Sequence, residues 1–236
     1  MSNSVNRIPS EPTAWDKIKG LFIGNILTSV DEMQRLMPDS LLFGSLILYL
    51  LTHNFAFGVF ALFLTESSLL HRLISFIFEK SIGESKLTPE QRALACRVGY
   101  HTPRIAFERI FAADKYPSLG SFSIAAVATY LGSAMGAFKE TLDTMGTDWQ
   151  ARYSVAISFI VVLTALFLLV RYIRGCESGG EMAVAVGLGV AVGAGLYFAH
   201  NAIFGPDSMN FLGLPFLINK ATEGNPIYVC AATKAN

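Results

Sequence analysis

Charged residues are scarce in this chain. Asp, Glu, Lys and Arg make up 15% of its 236 residues, whereas a soluble domain usually carries about 25%. Hydrophobic residues make up 52%, and the mean hydropathy is +0.45. Both values favour a protein that is embedded in a membrane. The formal net charge is zero, so the charge balance does not indicate a nucleic-acid partner.

Cysteine is also scarce, and the three cysteines, Cys96, Cys176 and Cys230, lie far apart in the sequence. Their spacing is typical neither of a disulfide framework nor of a zinc site. The sequence also lacks an Asn-x-Ser/Thr glycosylation site. A bond between Cys176 and Cys230 would contradict a four-span topology, because that topology puts these two cysteines on opposite faces of the membrane.

Sequence motifs of enzymes are missing as well. The four histidines, His53, His71, His101 and His200, form neither an HxxxH nor an HxxE pattern, and no Gly-x-Ser-x-Gly sequence occurs. The glycines between residues 187 and 195 do not form a phosphate-binding loop, since no Lys-Ser/Thr pair follows them. We therefore predict that the protein is not an enzyme and that it needs no cofactor or metal ion.

Long apolar segments are the main feature that the sequence does contain. Four of them are close to the about 20 residues with which a helix crosses a bilayer, and they lie at residues 41–64, 117–138, 153–172 and 182–204. The sequence thus predicts an all-α, polytopic transmembrane bundle over residues 40–204, with a polar helical loop at 81–115. Residues 66–80 are apolar but short. They are the end of the first helix, an interfacial helix or an extra span.

A separate region is predicted before the bundle, at residues 1–39. From Trp15 to Leu36, apolar residues recur every three or four positions, which indicates an amphipathic helix. Such a helix lies on the membrane surface or packs on the rest of the protein.

Residues 205–236 form an irregular, turn-rich tail in this prediction. The tail is too rich in aromatic and branched residues for a disordered segment. An apolar tail of this kind either docks onto a partner or folds back onto the bundle. The candidate docking residues are Phe211, Leu214, Pro215, Tyr228 and Cys230.

Polar residues interrupt the first predicted span at Thr52, His53 and Asn54. Polar groups at this depth are costly unless they face other helices or water. They indicate either a proton or ion relay or hydrogen bonds between helices. No predicted span carries an acidic residue in its core that could act with His53, and this favours the hydrogen bonds.

Small residues form ridges on the second and fourth predicted spans. In a membrane, such ridges let two helix backbones approach closely. The predicted packing residues are Ala128, Gly132 and Gly136 on the second span, and Gly187, Gly189, Gly193 and Gly195 on the fourth. These ridges are also compatible with a homo-oligomer.

The orientation in the membrane is only weakly indicated. The polar loop at 81–115 contains several Lys and Arg residues, which favours a cytosolic position for this loop. Charges in long loops have little influence on orientation, however.

Several short motifs in the second half of the chain occur in a familiar order. They are Tyr116-Pro-Ser118, Lys139-Glu140-Thr-Leu with Gly146, Ala151-Arg-Tyr153, Arg171 with Gly175-Cys176, Phe204 to Pro215, and Lys220 to Cys230. Together they resemble a family of multi-spanning membrane proteins of the nucleocytoplasmic large DNA viruses, which include algal and amoebal viruses. The resemblance covers residues 116–230.

The resemblance implies a structural or assembly protein in the inner membrane of an icosahedral virion. That membrane would come from the host endoplasmic reticulum during assembly, and the partners would be the capsid or other virion membrane proteins. The family brings no known catalytic residues. The alternative from the residues themselves is a small viral channel or transporter, based on His53, Asn54 and the glycine-rich fourth span. Against this alternative, no inverted repeat is visible between the halves of the chain.

Overall fold

The computed structural model describes residues 14–82, 96, 116–144 and 147–211. The helices are α1 (Ala14–Thr52), α2 (Phe55–Ile82), α3 (Leu119–Ala137), α4 (Lys139–Thr144), α5 (Thr147–Ile173) and α6 (Gly179–Phe204), followed by a 3-10 turn at Pro206–Met209. These ranges contain no β-strand. The prediction of an all-α chain is therefore confirmed for the residues that the structure describes.

Within the described ranges, four helices are long and apolar enough to cross a membrane. They are Phe55–Ser81 of α2 and the whole of α3, α5 and α6. The last three contain almost all of the predicted spans 117–138, 153–172 and 182–204. Large apolar side chains on α5 point away from the other helices, and Val155, Phe159 and Val162 are 64–69% exposed. Exposed side chains of this kind suit contact with lipid, since lipid tails are as apolar as the side chains themselves.

The structure corrects the first predicted span, 41–64. This segment is divided, because α1 ends at Thr52 and α2 begins at Phe55. His53 has a positive φ of 52°, and the side-chain oxygen of Asn54 accepts a hydrogen bond of 3.0 Å from the Ala56 N–H. Asn54 thus satisfies a free donor at the start of α2, as helix-capping asparagines do. The polar trio forms a turn between two helices, and residues 66–80 belong to the span that follows it.

The described part of the predicted N-terminal arm, from Ala14 to Asp39, is continuous with the helix that follows it, whereas residues 1–13 lie outside the described residues. Its amphipathic segment lies within α1, which runs on through Pro38. Two segments of α1, Thr28–Gln34 and Leu36–Thr52, meet at an angle of 57° and would make a fifth crossing if they form one span. Pro38 explains the bend, because proline has no N–H for the Gln34 carbonyl and its ring crowds that carbonyl.

The closest helix pair is α3 with α6, which run parallel. A Cβ atom added to Gly189 would overlap the Phe122 carbonyl oxygen, and one added to Gly193 would overlap that of Ala126. The two backbones therefore touch directly along this line. Next to it lies the core of the bundle, in which Phe63, Phe122, Ala126, Tyr130, Ala134 and Ala185 are fully buried.

A tight connection joins α5 to α6. Gly175 adopts a positive φ of 69°, which favours glycine, and this turns the chain back beneath the end of α5. The side chain of Ser178 then accepts a hydrogen bond from the Glu181 N–H, and the Glu181 carboxylate accepts one from the Ser178 N–H. This capping box begins α6 and places Cys176 and Glu177 against α3.

Candidate functional site

A buried ion pair lies where the start of α3 meets the α5–α6 connection. Arg171, in the last turn of α5, donates from Nε to Oε1 of Glu177 at 2.6 Å. Only 4% and 3% of these two side chains are exposed. A buried pair is tolerated only when its remaining polar atoms are also bonded. We call this pair, the serines that bond it and the neighbouring disulfide the clasp.

The serines of the clasp come from the beginning of α3. Ser121 donates a hydrogen bond of 2.7 Å to Oε2 of Glu177, and Ser118 donates to Oε1. Arg171 donates in turn to the Ser118 hydroxyl at 3.0 Å. Gly120 lies against the guanidinium, where an added Cβ would overlap Cζ and Nη1 of Arg171. A larger side chain at position 120 would therefore have to displace the guanidinium from these hydrogen bonds.

A disulfide between Cys96 and Cys176 completes the clasp. It links two cysteines that are 80 positions apart, and Arg171 also donates to the Cys96 carbonyl at 3.4 Å. The spacing of the cysteines, which is not typical of a disulfide framework, did not predict this bond. The predicted topology held a signal for it, because it puts the loops that carry Cys96 and Cys176 on the same side of the membrane.

His71 connects the clasp end of α2 to α3. Its Nε2 donates a hydrogen bond of 2.7 Å to the Pro117 carbonyl, and its buried ring lies 4.9 Å from the Phe122 ring. From the sequence alone, His71 belongs to no catalytic pattern and has no other predicted role. In the structure it joins two helices.

A second polar cluster lies nearer the other end of the bundle. Nε2 of His200 in α6 is 2.8 Å from Oε2 of Glu66 in α2, and Nδ1 of His200 is 3.0 Å from the Tyr130 hydroxyl in α3. We call these residues the Glu66–His200–Tyr130 triad. The expectation that no span carries an acidic residue is corrected here. Glu66 lies within the span Phe55–Ser81, whereas the predicted span ended at residue 64.

Metal binding has no geometric basis in the described part of the chain. No group of three or more His, Cys, Asp or Glu side chains there is arranged to hold an ion.

The predicted packing residues fall into two groups in the structure. Gly189 and Gly193 face α3 at direct backbone contact. Ala128 is half-buried and lines an apolar cavity of about 440 Å³ between α1, α3 and α5. The remaining four have no described atom within 4 Å of an added Cβ, and they are Gly132, Gly136, Gly187 and Gly195.

Among the predicted docking residues, only Phe211 lies within the described ranges. Its ring packs on the rings of Phe57 and Phe60 at 5.9 and 5.7 Å, so at this point the chain folds back onto α2. Asn54 fixes the same place by donating to the Asn210 carbonyl at 3.0 Å. Leu214, Pro215, Tyr228 and Cys230 lie outside the described residues.

Comparisons with known proteins give no match to a family model, a curated protein or a solved structure.

Proposed function

We propose that this chain is a non-enzymatic structural or assembly protein of a membrane, and specifically of the inner membrane of a large icosahedral DNA virus. In this proposal the membrane derives from the host endoplasmic reticulum, and the protein links it to the capsid or to other virion membrane proteins. The observation that carries the structural role is the clasp. The resemblance of the second half of the chain to viral membrane proteins supports the virion location.

The clasp is suited to holding helices in one fixed arrangement. Removing one partner of a buried ion pair costs about 3–5 kcal/mol, because the other charge is left without compensation. A disulfide that closes a loop of 80 residues adds about 4 kcal/mol by restricting the unfolded chain. With the backbone contact between α3 and α6, these interactions fix α3, α5 and α6 at one end. A rigid bundle of this kind is what a scaffold requires.

Motifs that carry the resemblance are distant in sequence but meet in the clasp. Ser118 of the first motif bonds both Arg171 and Glu177, and Cys176 forms the disulfide. This convergence gives these residues a shared structural reason to occur together. It supports a common architecture with the viral proteins.

The clasp lies at one end of α2, and the tail leaves the bundle at the other end. His71 of α2 contacts the clasp end, whereas Phe57 and Phe60 contact Phe211, after which the tail continues. Disulfides persist in oxidising compartments. We therefore place the clasp in the lumen and the tail in the cytosol, where capsid proteins are available to it. This orientation is opposite to the one that the basic residues of loop 81–115 favour.

Purified particles of the virus that carries this gene provide the test. We expect quantitative mass spectrometry to detect the chain in intact particles, at a constant ratio to the capsid protein across a density gradient. Mild detergent should release it together with the lipid. A soluble capsid protein that is retained after detergent serves as the control. Absence of the chain from particles, with its presence in membranes of infected cells, would exclude the virion role.

The alternative of a channel or transporter is supported by one specific observation, which is the carboxylate of Glu66 inside a membrane-spanning helix. Ionisable residues at such positions often bind or relay ions.

A further inference from the structure

The triad forms a continuous chain of hydrogen bonds across three helices. Glu66 in α2, His200 in α6 and Tyr130 in α3 are joined by contacts of 2.8 and 3.0 Å. The His200 side chain is 3% exposed, whereas that of Glu66 is 36% exposed. The histidine is thus shielded by the bundle, and the carboxylate is the most exposed member of the triad.

Tyr130 allows this chain to exist with and without an extra proton. When the imidazole is neutral, its Nε2–H donates to the Glu66 carboxylate and its Nδ1 accepts the Tyr130 hydroxyl proton. When the imidazole is protonated, Nδ1–H donates to the Tyr130 oxygen instead. A hydroxyl group both donates and accepts, so the contact between His200 and Tyr130 is a hydrogen bond in both states, with the donor and the acceptor exchanged.

The surroundings of the triad are apolar. The Phe63 ring stacks on Tyr130 at 4.0 Å, and the Phe204 ring lies 5.7 Å from His200. Ionisable residues inside a membrane-spanning bundle are costly, and chains of Glu and His there often relay protons.

Few other titratable groups face the triad from the packed helices. In the described residues of α3 and α6, Tyr130 and Tyr197 are the tyrosines beside it, and their ring centres are 6.3 Å apart. In α2, Glu66 is the charged group in contact with His200.

We propose that the Glu66–His200–Tyr130 triad is a proton-binding site inside the membrane-spanning bundle. The Glu66–His200 pair takes up one proton, which enters at Glu66, and the Tyr130 hydroxyl reverses its hydrogen bond to accommodate it. This activity goes beyond the structural role of the clasp and does not depend on it.

The full chain in lipid nanodiscs tests the proposal. Nitrogen-15 NMR of labelled histidines reports the state of the His200 ring, and isotope-edited infrared spectroscopy reports whether Glu66 is protonated. Between about pH 4 and about pH 9, a range that spans the ordinary titration of both residue types, we expect one reversible protonation change at the pair. In E66Q and H200Q this change should disappear or move by about one pH unit or more, which is typical of losing a partner in contact.

Two further variants complete the design. Y130F removes the group that switches direction, so its transition should also be displaced. H53Q alters an exposed histidine at the α1–α2 turn, and it should leave the transition unchanged. The proposal is overturned if neither Glu66 nor His200 changes protonation in the wild-type chain. It is equally overturned if the transition persists at the same pH in both E66Q and H200Q.

Discussion

A substitution at Gly193 tests the packing between α3 and α6 most directly. An added Cβ at this position would overlap the Ala126 carbonyl oxygen and would lie 3.0 Å from the Ala126 Cα. These are backbone atoms, so no side-chain rotation relieves the overlap. We expect Gly193→Ala to force the two helices apart. Gly195 is the matched control, because it lies on the same helix and has no described atom within 4 Å of an added Cβ.

The size of the effect follows from two opposing contributions. Overpacking a filled interior costs about 1–3 kcal/mol. Replacing glycine by alanine inside a helix stabilises it by about 1 kcal/mol, and this gain applies to both variants. The helix contribution therefore cancels in the comparison. We expect Gly193→Ala to be less stable than Gly195→Ala by about 1–3 kcal/mol.

Reversible unfolding of the full chain in mixed micelles, as the fraction of SDS is raised, measures this difference. Gly193→Ala should unfold at a lower SDS fraction than Gly195→Ala, and Gly195→Ala at a fraction equal to or above that of the wild type. Equal midpoints for the two variants would refute the direct backbone contact between α3 and α6.

Three further predictions concern the clasp and the α1–α2 turn. Glu177→Gln should lower the free energy of unfolding by about 3–5 kcal/mol, because Arg171 stays buried without its carboxylate. The double variant R171M/E177M should lose less stability than Glu177→Gln does. An equal loss in the two variants would argue against a buried charge. Cys96→Ser, Cys176→Ser and their double variant should each lose the same about 2–5 kcal/mol in non-reducing micelles, since all three remove one bond, and additive losses would speak against that bond. Asn54→Ala should lower the thermal midpoint of unfolding, because removing the cap at the start of α2 costs about 1 kcal/mol of stability. His53→Gly should raise the midpoint, because glycine adopts a positive φ without strain. Equal shifts in the two variants would exclude the turn.

The later spans could be predicted from the sequence because no charged residue interrupts them. In α5, for example, no charged residue lies between Arg152 and Arg171. Because a helix needs about 20 apolar residues to cross a bilayer, such a segment is predicted to be a membrane-spanning helix. Here local composition alone determines the element.

The first span could not be read in this way. Residues 41–64 contain only three polar residues in a row, and an apolar average over a long window does not register a turn that short. The informative signal was Asn54, since asparagine is a preferred residue before a helix starts. Moving the start of the helix to Phe55 brings Glu66 inside the span.

The tertiary pairings were beyond the sequence for a different reason. On α6, the small residues Gly187, Ala191 and Gly195 recur every four positions, as Gly189 and Gly193 do. Of these glycines, only Gly189 and Gly193 touch α3. Which face of a helix is covered depends on its neighbours. The bond between Cys96 and Cys176 likewise depends on the arrangement of the helices that carry these loops.

We propose that the clasp and the tail lie on opposite faces of the membrane, with the clasp in the oxidising compartment. Labelling of sealed microsomes with a membrane-impermeant maleimide tests it most directly, since Cys230 is the third cysteine of the chain and the other two are bonded. We predict that the wild-type chain is labelled in sealed microsomes, and that Cys230→Ser is labelled only after permeabilisation and reduction. Labelling of Cys230→Ser in sealed, unreduced microsomes would contradict a bonded clasp in the lumen. Labelling of the wild-type chain only after permeabilisation would contradict a cytosolic tail.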